Sequence, residues 1–205
     1  MARPGYELIA WDFDGVLNCN IKDGEFLWHR SFEADLGASA TQFAAFMFRS
    51  GRFHDVLIGQ RDVLDLLAQW IAEYGVGHSP QQVLDYWLAK DAHADQEVLS
   101  WVQACNIRSV IATNNEFRRA AYIWGPMGFG AHMAKMFAAG PMGVRKPDAA
   151  FFRQIEDWSG LPPDKILLVD DAEANIAAAH KCGWNAFLFT DAARHRLPLL
   201  LGIEE

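Results

Sequence analysis

From Ser109 onward the chain repeats one rhythm, a short apolar run followed by a helix-length amphipathic segment, and few architectures accept it. Val110-Ile111-Ala112-Thr113 precedes 117–124, and Met136-Phe137-Ala138-Ala139 precedes 149–158. Lys165-Ile166-Leu167-Leu168-Val169-Asp170 precedes an alanine-rich helix ending near Cys182-Gly183, and Ala186-Phe187-Leu188-Phe189 precedes a terminal segment through Leu201. Runs this short and this uniformly apolar leave no face for water, so alternation with helices predicts a parallel sheet covered on both sides. Residues 8–13 predict a further strand of that sheet. The expected fold class is α/β, a doubly wound, Rossmann-like parallel-sheet core.

Between the first strand and Ser109 the pattern is helical. Over 61–74, Val63, Leu66, Leu67, Trp70, Ile71 and Tyr74 recur at helical spacing and form one apolar stripe. Segments around 26–36, 43–48 and 83–88 are its candidate packing partners, which predicts a small helical bundle. The expected division is a core of 1–20 and 103–205 with an inserted helical region, 21–102.

The chain has 205 residues and a net charge of −8, so it lacks the basic field that holds a nucleic-acid backbone. Its three cysteines are far apart and show no Cys-x-x-Cys pairing, which favours a reducing, cytoplasmic setting over a zinc or redox site. No apolar run reaches membrane-spanning length, and the opening residues are expected to enter the first strand without a leader.

In an open parallel sheet, ligands bind beyond the carboxyl ends of the strands. Asp12 and Asp14 sit at the end of the first strand, two apart and hence on one face, before a turn at Gly15. Thr113, Asn114 and Asn115 end the second strand, Lys146 lies in the loop after the third, and Asp170 and Asp171 end the fourth. Singly, each has a plain structural explanation, since Asp, Asn and Thr cap helices and Lys146 precedes a proline suited to a first helical turn. Jointly they make a chemical set. Carboxylates from different strand ends can hold Mg²⁺, with Asp12 and Asp171 the natural ligands. A lysine and a hydroxyl with neighbouring amides can hold phosphoryl oxygens. One aspartate can act as nucleophile and another as acid and base.

The four separated motifs Asp12-Phe13-Asp14-Gly15-Val16, Thr113-Asn114, Lys146-Pro147 and Asp170-Asp171 resemble, in order, those of the haloacid dehalogenase superfamily, in its phosphatase-like branch with a helical cap. The resemblance implies Asp12 as nucleophile, Asp14 as general acid and base, and Thr113, Asn114 and Lys146 as phosphate binders. It further implies Asp12, the Asp14 backbone carbonyl, Asp170 and Asp171 as the Mg²⁺ site, Lys146 as the group that neutralises Asp12, and 21–102 as the cap. Asn175, one helical turn beyond Asp171, is expected either to support the site from behind or to be an exposed helix residue.

The implied activity is hydrolysis of a small phosphomonoester, such as a sugar phosphate, through an aspartyl-phosphate. A sugar phosphomutase and a non-catalytic phosphoester-binding module are the alternatives. The expected partner is a small phosphorylated metabolite, with no nucleic acid and no membrane, and the chain is expected to be a monomer or homodimer. Arg49, Arg52, His54, Gln60 and Arg61, around Gly51 and Gly59, either reach over the site to grip a sugar or second phosphate or form a polar surface. His29, His78, His93 and His132 show no metal-type spacing. Of Trp11 and Phe13, one is expected in the core and the other at the cleft.

Overall fold

A computed structural model describes residues 5–22 and 24–203. The expectation about the opening residues, and the outer ends of the expected core segments, lie partly outside them. In chain order the strands are β1 (Leu8–Trp11), β2 (Ile21–Lys22), β3 (Glu25–Phe26), β4 (Arg108–Thr113), β5 (Met136–Ala138), β6 (Ile166–Asp170) and β7 (Asn185–Leu188). The helices are α1 (His29–Leu36), α2 (Ala40–Ala44), α3 (Phe53–Leu57), α4 (Val63–Tyr74), α5 (Pro80–Lys90), α6 (Gln96–Ala104), α7 (Phe117–Trp124), α8 (Ala139–Met142), α9 (Ala149–Ser159), α10 (Glu173–Lys181) and α11 (Leu197–Leu201).

The central sheet is parallel, in the order β5-β4-β1-β6-β7. Strand periodicity assigns its two faces. Ile9, Trp11, Ile111, Leu167 and Val169 enter one apolar cluster, while Leu8, Ala10, Val110, Ala112 and Leu168 enter another with Phe151 and Phe152 of α9. Both faces are dry, which is why these strands carry no polar alternation. Trp11 lies opposite Ile111 and Val169, so β1, β4 and β6 end within two residues of one level and deliver their last and next residues to one edge. The first strand stops at Trp11 rather than Phe13, although the Asp12 N–H still donates to the Val169 carbonyl at 2.8 Å. Trp11 and Phe13 are both fully buried in the same cluster, so neither lines the cleft. Their alternation with the two acids turns both inward.

A third cluster lies in the inserted region and is largely aromatic, with Trp28, Phe32, Phe43, Trp70 and Trp87 at its centre. Helix α4 contributes the buried part of the expected stripe, Val63, Leu66, Leu67 and Trp70. Asp62 caps it by accepting from the Leu64 N–H at 2.9 Å, and Gly75 ends it in the left-handed conformation. Helix α5 opens on a capping box of Ser79 and Gln82 with Pro80 in its first turn. Phe26, expected within a helical segment, lies instead in an antiparallel pair, β2–β3, next to Gly24, which has φ +78°. The expected boundary at 102/103 falls inside α6, whose Val98 and Val102 pack in the sheet's cluster.

The chain leaves the sheet at 18–20 and returns at 91–95, and the two crossings are tied together. Asn18 Nδ2 donates to the Asp91 carbonyl at 2.8 Å, the His93 N–H to Asn18 Oδ1 at 2.7 Å and the Cys19 N–H to the His93 carbonyl at 2.8 Å. A second contact brings the insertion over the sheet edge at Gly59, which has φ +74°. A Cβ there would stand 2.4 Å from the Gly140 carbonyl oxygen and 2.6 Å from the Phe117 ring, so the approach requires glycine. No helix among the described residues is long and apolar enough to cross a membrane.

Candidate active site

Asp12 leaves β1 at the middle of the sheet edge and is 9% exposed. Its Oδ1 accepts from the Phe13 N–H at 2.7 Å and lies 3.0 Å from Lys146 Nζ. Burial pushes the Asp12 carboxyl up, to about 8, against the pull of the Lys146 ammonium, and Asp170 pushes the same way. Additional positive charge is therefore what this carboxylate lacks.

Lys146 is 1% exposed, and its ammonium also meets Asp170 Oδ2 at 2.5 Å. Burial opposes its charge, yet Asp12 and Asp170 hold it above the ordinary lysine range. Asn114 positions it. The Asn114 amide donates to the Lys146 carbonyl at 3.0 Å and accepts from the Lys146 N–H at 2.9 Å. This expected phosphate binder therefore spends its side chain on the backbone of the lysine loop. Thr113 is 1% exposed, and its Oγ1 accepts from Asn115 Nδ2 at 2.7 Å.

Asp170 is fully buried, and both of its oxygens are engaged. Oδ1 accepts from the Ala172 N–H and Asn175 Nδ2, each at 2.9 Å, while Oδ2 accepts from Lys146 and from Asn175 at 3.1 Å. Asn175 thus supports Asp170 from a buried position and is not an exposed helix residue. Carboxylate oxygens of Asp12, Asp170 and Asp171 lie within 4.8 Å of one another, a grouping that suits a metal ion. The turn beside them is shaped for it. Gly15 has φ +79°, and a Cβ there would stand 2.2 Å from Asp171 Oδ2. The acidic donor set, all oxygen, fits a hard divalent cation such as Mg²⁺.

Asp14 lies beside these groups in a different environment. Its Oδ1 accepts from Arg119 at 2.6 Å, from Asn20 at 2.9 Å and from Asn18 at 3.2 Å, and its Oδ2 accepts from Asn115 at 3.3 Å. Arg119 of α7 also meets buried Asp91 at 2.5 Å, and Asn20 donates to Asp91 at 2.8 Å. Burial raises the Asp91 carboxyl, and Arg119 opposes that rise. Asp14 therefore sits where the inserted region leaves the sheet and returns to it.

Above Asp14 opens a cleft of about 310 Å³. The floor side is polar, formed by Asp14, Asn114, Asn115, Glu116 and Arg119. The facing wall comes from the insertion and is apolar, formed by Phe26, Trp28, Phe48, Phe53, Leu57 and Trp87. The cluster of Arg49, Arg52, His54, Gln60 and Arg61 does not line this cleft. Arg52 stacks over the Phe46 ring at 4.5 Å, and His54 borders a separate cavity with Arg145.

A family model for haloacid dehalogenase-like hydrolases matches residues 6–183. The chain belongs to that family. Among solved structures, it is similar to a HAD-like family hydrolase from Porphyromonas gingivalis, with 21% identity, TM-score 0.78, and 96% of this chain and 98% of that one covered. It is also similar to a HAD family enzyme from Bacteroides thetaiotaomicron in complex with magnesium and inorganic phosphate, with 14% identity, TM-score 0.74 and coverages of 90% and 94%. An L-2-haloacid dehalogenase from Xanthobacter autotrophicus shares the fold at 13% identity and TM-score 0.65, with coverages of 93% and 81%. Two curated relatives match over shorter spans. One is a drimenol cyclase from Aspergillus calidoustus, 34% identical over 70 residues, and the other a probable phosphoglycolate phosphatase from Pseudomonas putida, 24% identical over 104. Those spans cover 33% and 51% of this chain but only 13% and 41% of the relatives.

The sequence reading missed Arg119, Asp91, Asn18 and Asn20. Arg119 carried a weak signal, because an arginine in the first turn of a helix opposes the helix dipole and asks for a local carboxylate. Asp91, Asn18 and Asn20 carried none, since only the return of the chain brings them together.

Proposed function

We propose that this hydrolase is a Mg²⁺-dependent phosphomonoesterase working through an aspartyl-phosphate on Asp12. The observation that supports this reading is the convergence of Asp12, Asp14, Lys146 and the Asp170-Asp171 pair on one sheet edge, with the Lys146 ammonium between Asp12 and Asp170. Both hydrogen-bonding contacts to Asp12 fall on Oδ1, which leaves Oδ2 to attack phosphorus. As that bond forms, the ester P–O bond breaks and Asp14 gives a proton to the departing oxygen. In the second half Asp14 takes a proton from water, the water oxygen bonds to phosphorus, and the Asp12–phosphorus linkage breaks. Lys146 and Thr113 bind phosphoryl oxygens, and Asn114 fixes the lysine loop.

Asp12, Asp171 and the Asp14 backbone carbonyl would hold the cation. When bound, Mg²⁺ supplies the positive charge that keeps Asp12 ionised and neutralises the phosphoryl oxygens. Asp170, whose oxygens already accept four hydrogen bonds, holds Lys146 and would add its carboxylate charge to the cation site. Residues 21–90 form the cap, with α6 part of the core.

The presence of Asp14 favours phosphoryl transfer over dehalogenation, and the apolar cap wall disfavours a mutase, which must hold a second sugar hydroxyl in place. Asp12→Asn should lower Mg²⁺-dependent release of p-nitrophenol from p-nitrophenyl phosphate at least about a thousandfold. Turnover that survives the substitution would sink the aspartyl-phosphate reading.

A further inference from the structure

The cleft above Asp14 also bears on what leaves with the departing oxygen. A phosphoryl group bound at Asp12 and Lys146 places its leaving group beside Asp14, and Asp14 lines this cleft. Each polar side chain around it already holds a neighbour, although Asn115 Oδ1 and the Nε and Nη1 groups of Arg119 are left over. Asn114 is closed on the Lys146 backbone, and Glu116 accepts from the Arg118 and Arg119 N–H groups at 2.7 and 2.6 Å. Asn115 donates to Thr113 and Asp14, and Arg119 is held by Asp14 and Asp91. On the opposite wall the buried Trp87 Nε1, which has no hydrogen-bond partner among the described residues, offers one donor at most.

A polyol placed here would leave the hydroxyls that face the insertion's wall unpaired against aromatic carbon, which is costly. A hydrocarbon loses nothing. We infer that the substrate is the phosphomonoester of an apolar alcohol, an aryl or branched hydrocarbyl group, and not of a sugar; this rests on the phosphatase reading. The size is consistent. An apolar cavity of about 150 Å³ accepts benzene, so a cleft of about 310 Å³ suits a leaving group of roughly two fused rings. Phe48 controls the wall. It stands on a π-helical turn, Ala45–Arg49, of the kind that recurs at functional sites, and it is 40% exposed, so it can be changed without opening the core.

The test compares kcat/KM for 1-naphthyl phosphate and glucose 6-phosphate in Mg²⁺, for the wild-type chain and Phe48→Ser, and measures 1-naphthol binding to both by calorimetry. The inference expects at least about a hundredfold preference for the naphthyl ester, narrowed in Phe48→Ser through KM, with naphthol binding weakened in parallel. Equal or better turnover of glucose 6-phosphate would overturn the inference and leave the phosphatase reading intact. Hydrolysis of neither ester, with naphthol bound in a Phe48-dependent way, would retain the ligand class and remove the phosphatase reading. Absence of both turnover and naphthol binding would overturn both.

Discussion

Lys146→Met probes the electrostatics of the site, because methionine fills most of the volume of the lysine stem and removes the ammonium with its charge and donors. The ammonium now lies 3.0 Å from Asp12 and 2.5 Å from Asp170, and the lysine is 1% exposed. Without it two desolvated carboxylates face each other. Breaking one side of a buried ion pair costs about 3–5 kcal/mol, against a total stability of order 5–15 kcal/mol for a folded domain. At roughly 2–4 °C per kcal/mol for a chain of this size, the melting midpoint should fall by about 6–20 °C. The sign of the pH dependence follows from Asp12. Burial already raises its carboxyl to about 8, and losing Lys146 pushes it further the same way. A group raised in the folded state takes up its proton there before the unfolded chain does, so its cost grows as pH rises from the unfolded value near 4 up to the folded one and is constant above it, which carries the growth to higher pH in the variant than in wild type. Urea unfolding followed by circular dichroism should therefore show a larger loss at pH 9 than at pH 5. Adding Asp170→Asn should restore about half of the loss at pH 9, since it removes one of the two stranded charges. A single variant within about 1 kcal/mol of wild type, a loss equal at both pH values, or a double variant weaker than the single one would refute the reasoning.

Gly15→Ala should remove the response to metal, because the new Cβ would stand 2.2 Å from Asp171 Oδ2 in a backbone that has φ +79°. Mg²⁺ should raise the melting midpoint of the wild type and leave that of Gly15→Ala unchanged, and an undiminished Mg²⁺ shift would remove Asp171 from the site. Asp95→Asn should cost about 1–3 kcal/mol, because Asp95 caps α6 through the Glu97 and Val98 N–H groups at 3.1 Å and holds Arg194 through two contacts of 2.7 Å. Burial alone would raise the Asp95 carboxyl, but Arg194 and those amides lower it, so its contribution is complete above the unfolded value near 4 and lost as pH falls through the folded one. The difference between wild type and Asp95→Asn in urea titrations should therefore be constant from pH 7 to about 5 and close toward pH 3; a difference that persists in acid would mean the carboxylate charge contributes nothing.

The candidate site of this chain was legible in the sequence for the same reason its sheet was. A strand buried on both faces must be apolar along its length, so a charged residue can enter only at its end, and Asp12, Thr113 and Asp170 mark those ends without any knowledge of what surrounds them. The alternation that set Asp12 and Asp14 on one side also set Trp11 and Phe13 on the other, so burial of both rings followed from a rule already in use. What stayed hidden depends on how the chain returns. Asp91 and Asn20 are 71 positions apart, and nothing local marks either as a partner of the other or of Arg119. The cleft was hidden more deeply still. Trp28, Phe48, Phe53 and Trp87 carry the composition of a core, and the sequence does not distinguish an aromatic residue that fills a bundle from one that forms the wall facing Asp14. In the proposed reaction, catalysis rests on a few charges whose positions the sheet dictates, whereas selection of the leaving group rests on which side of an aromatic cluster is left uncovered where the insertion lies over the strand ends.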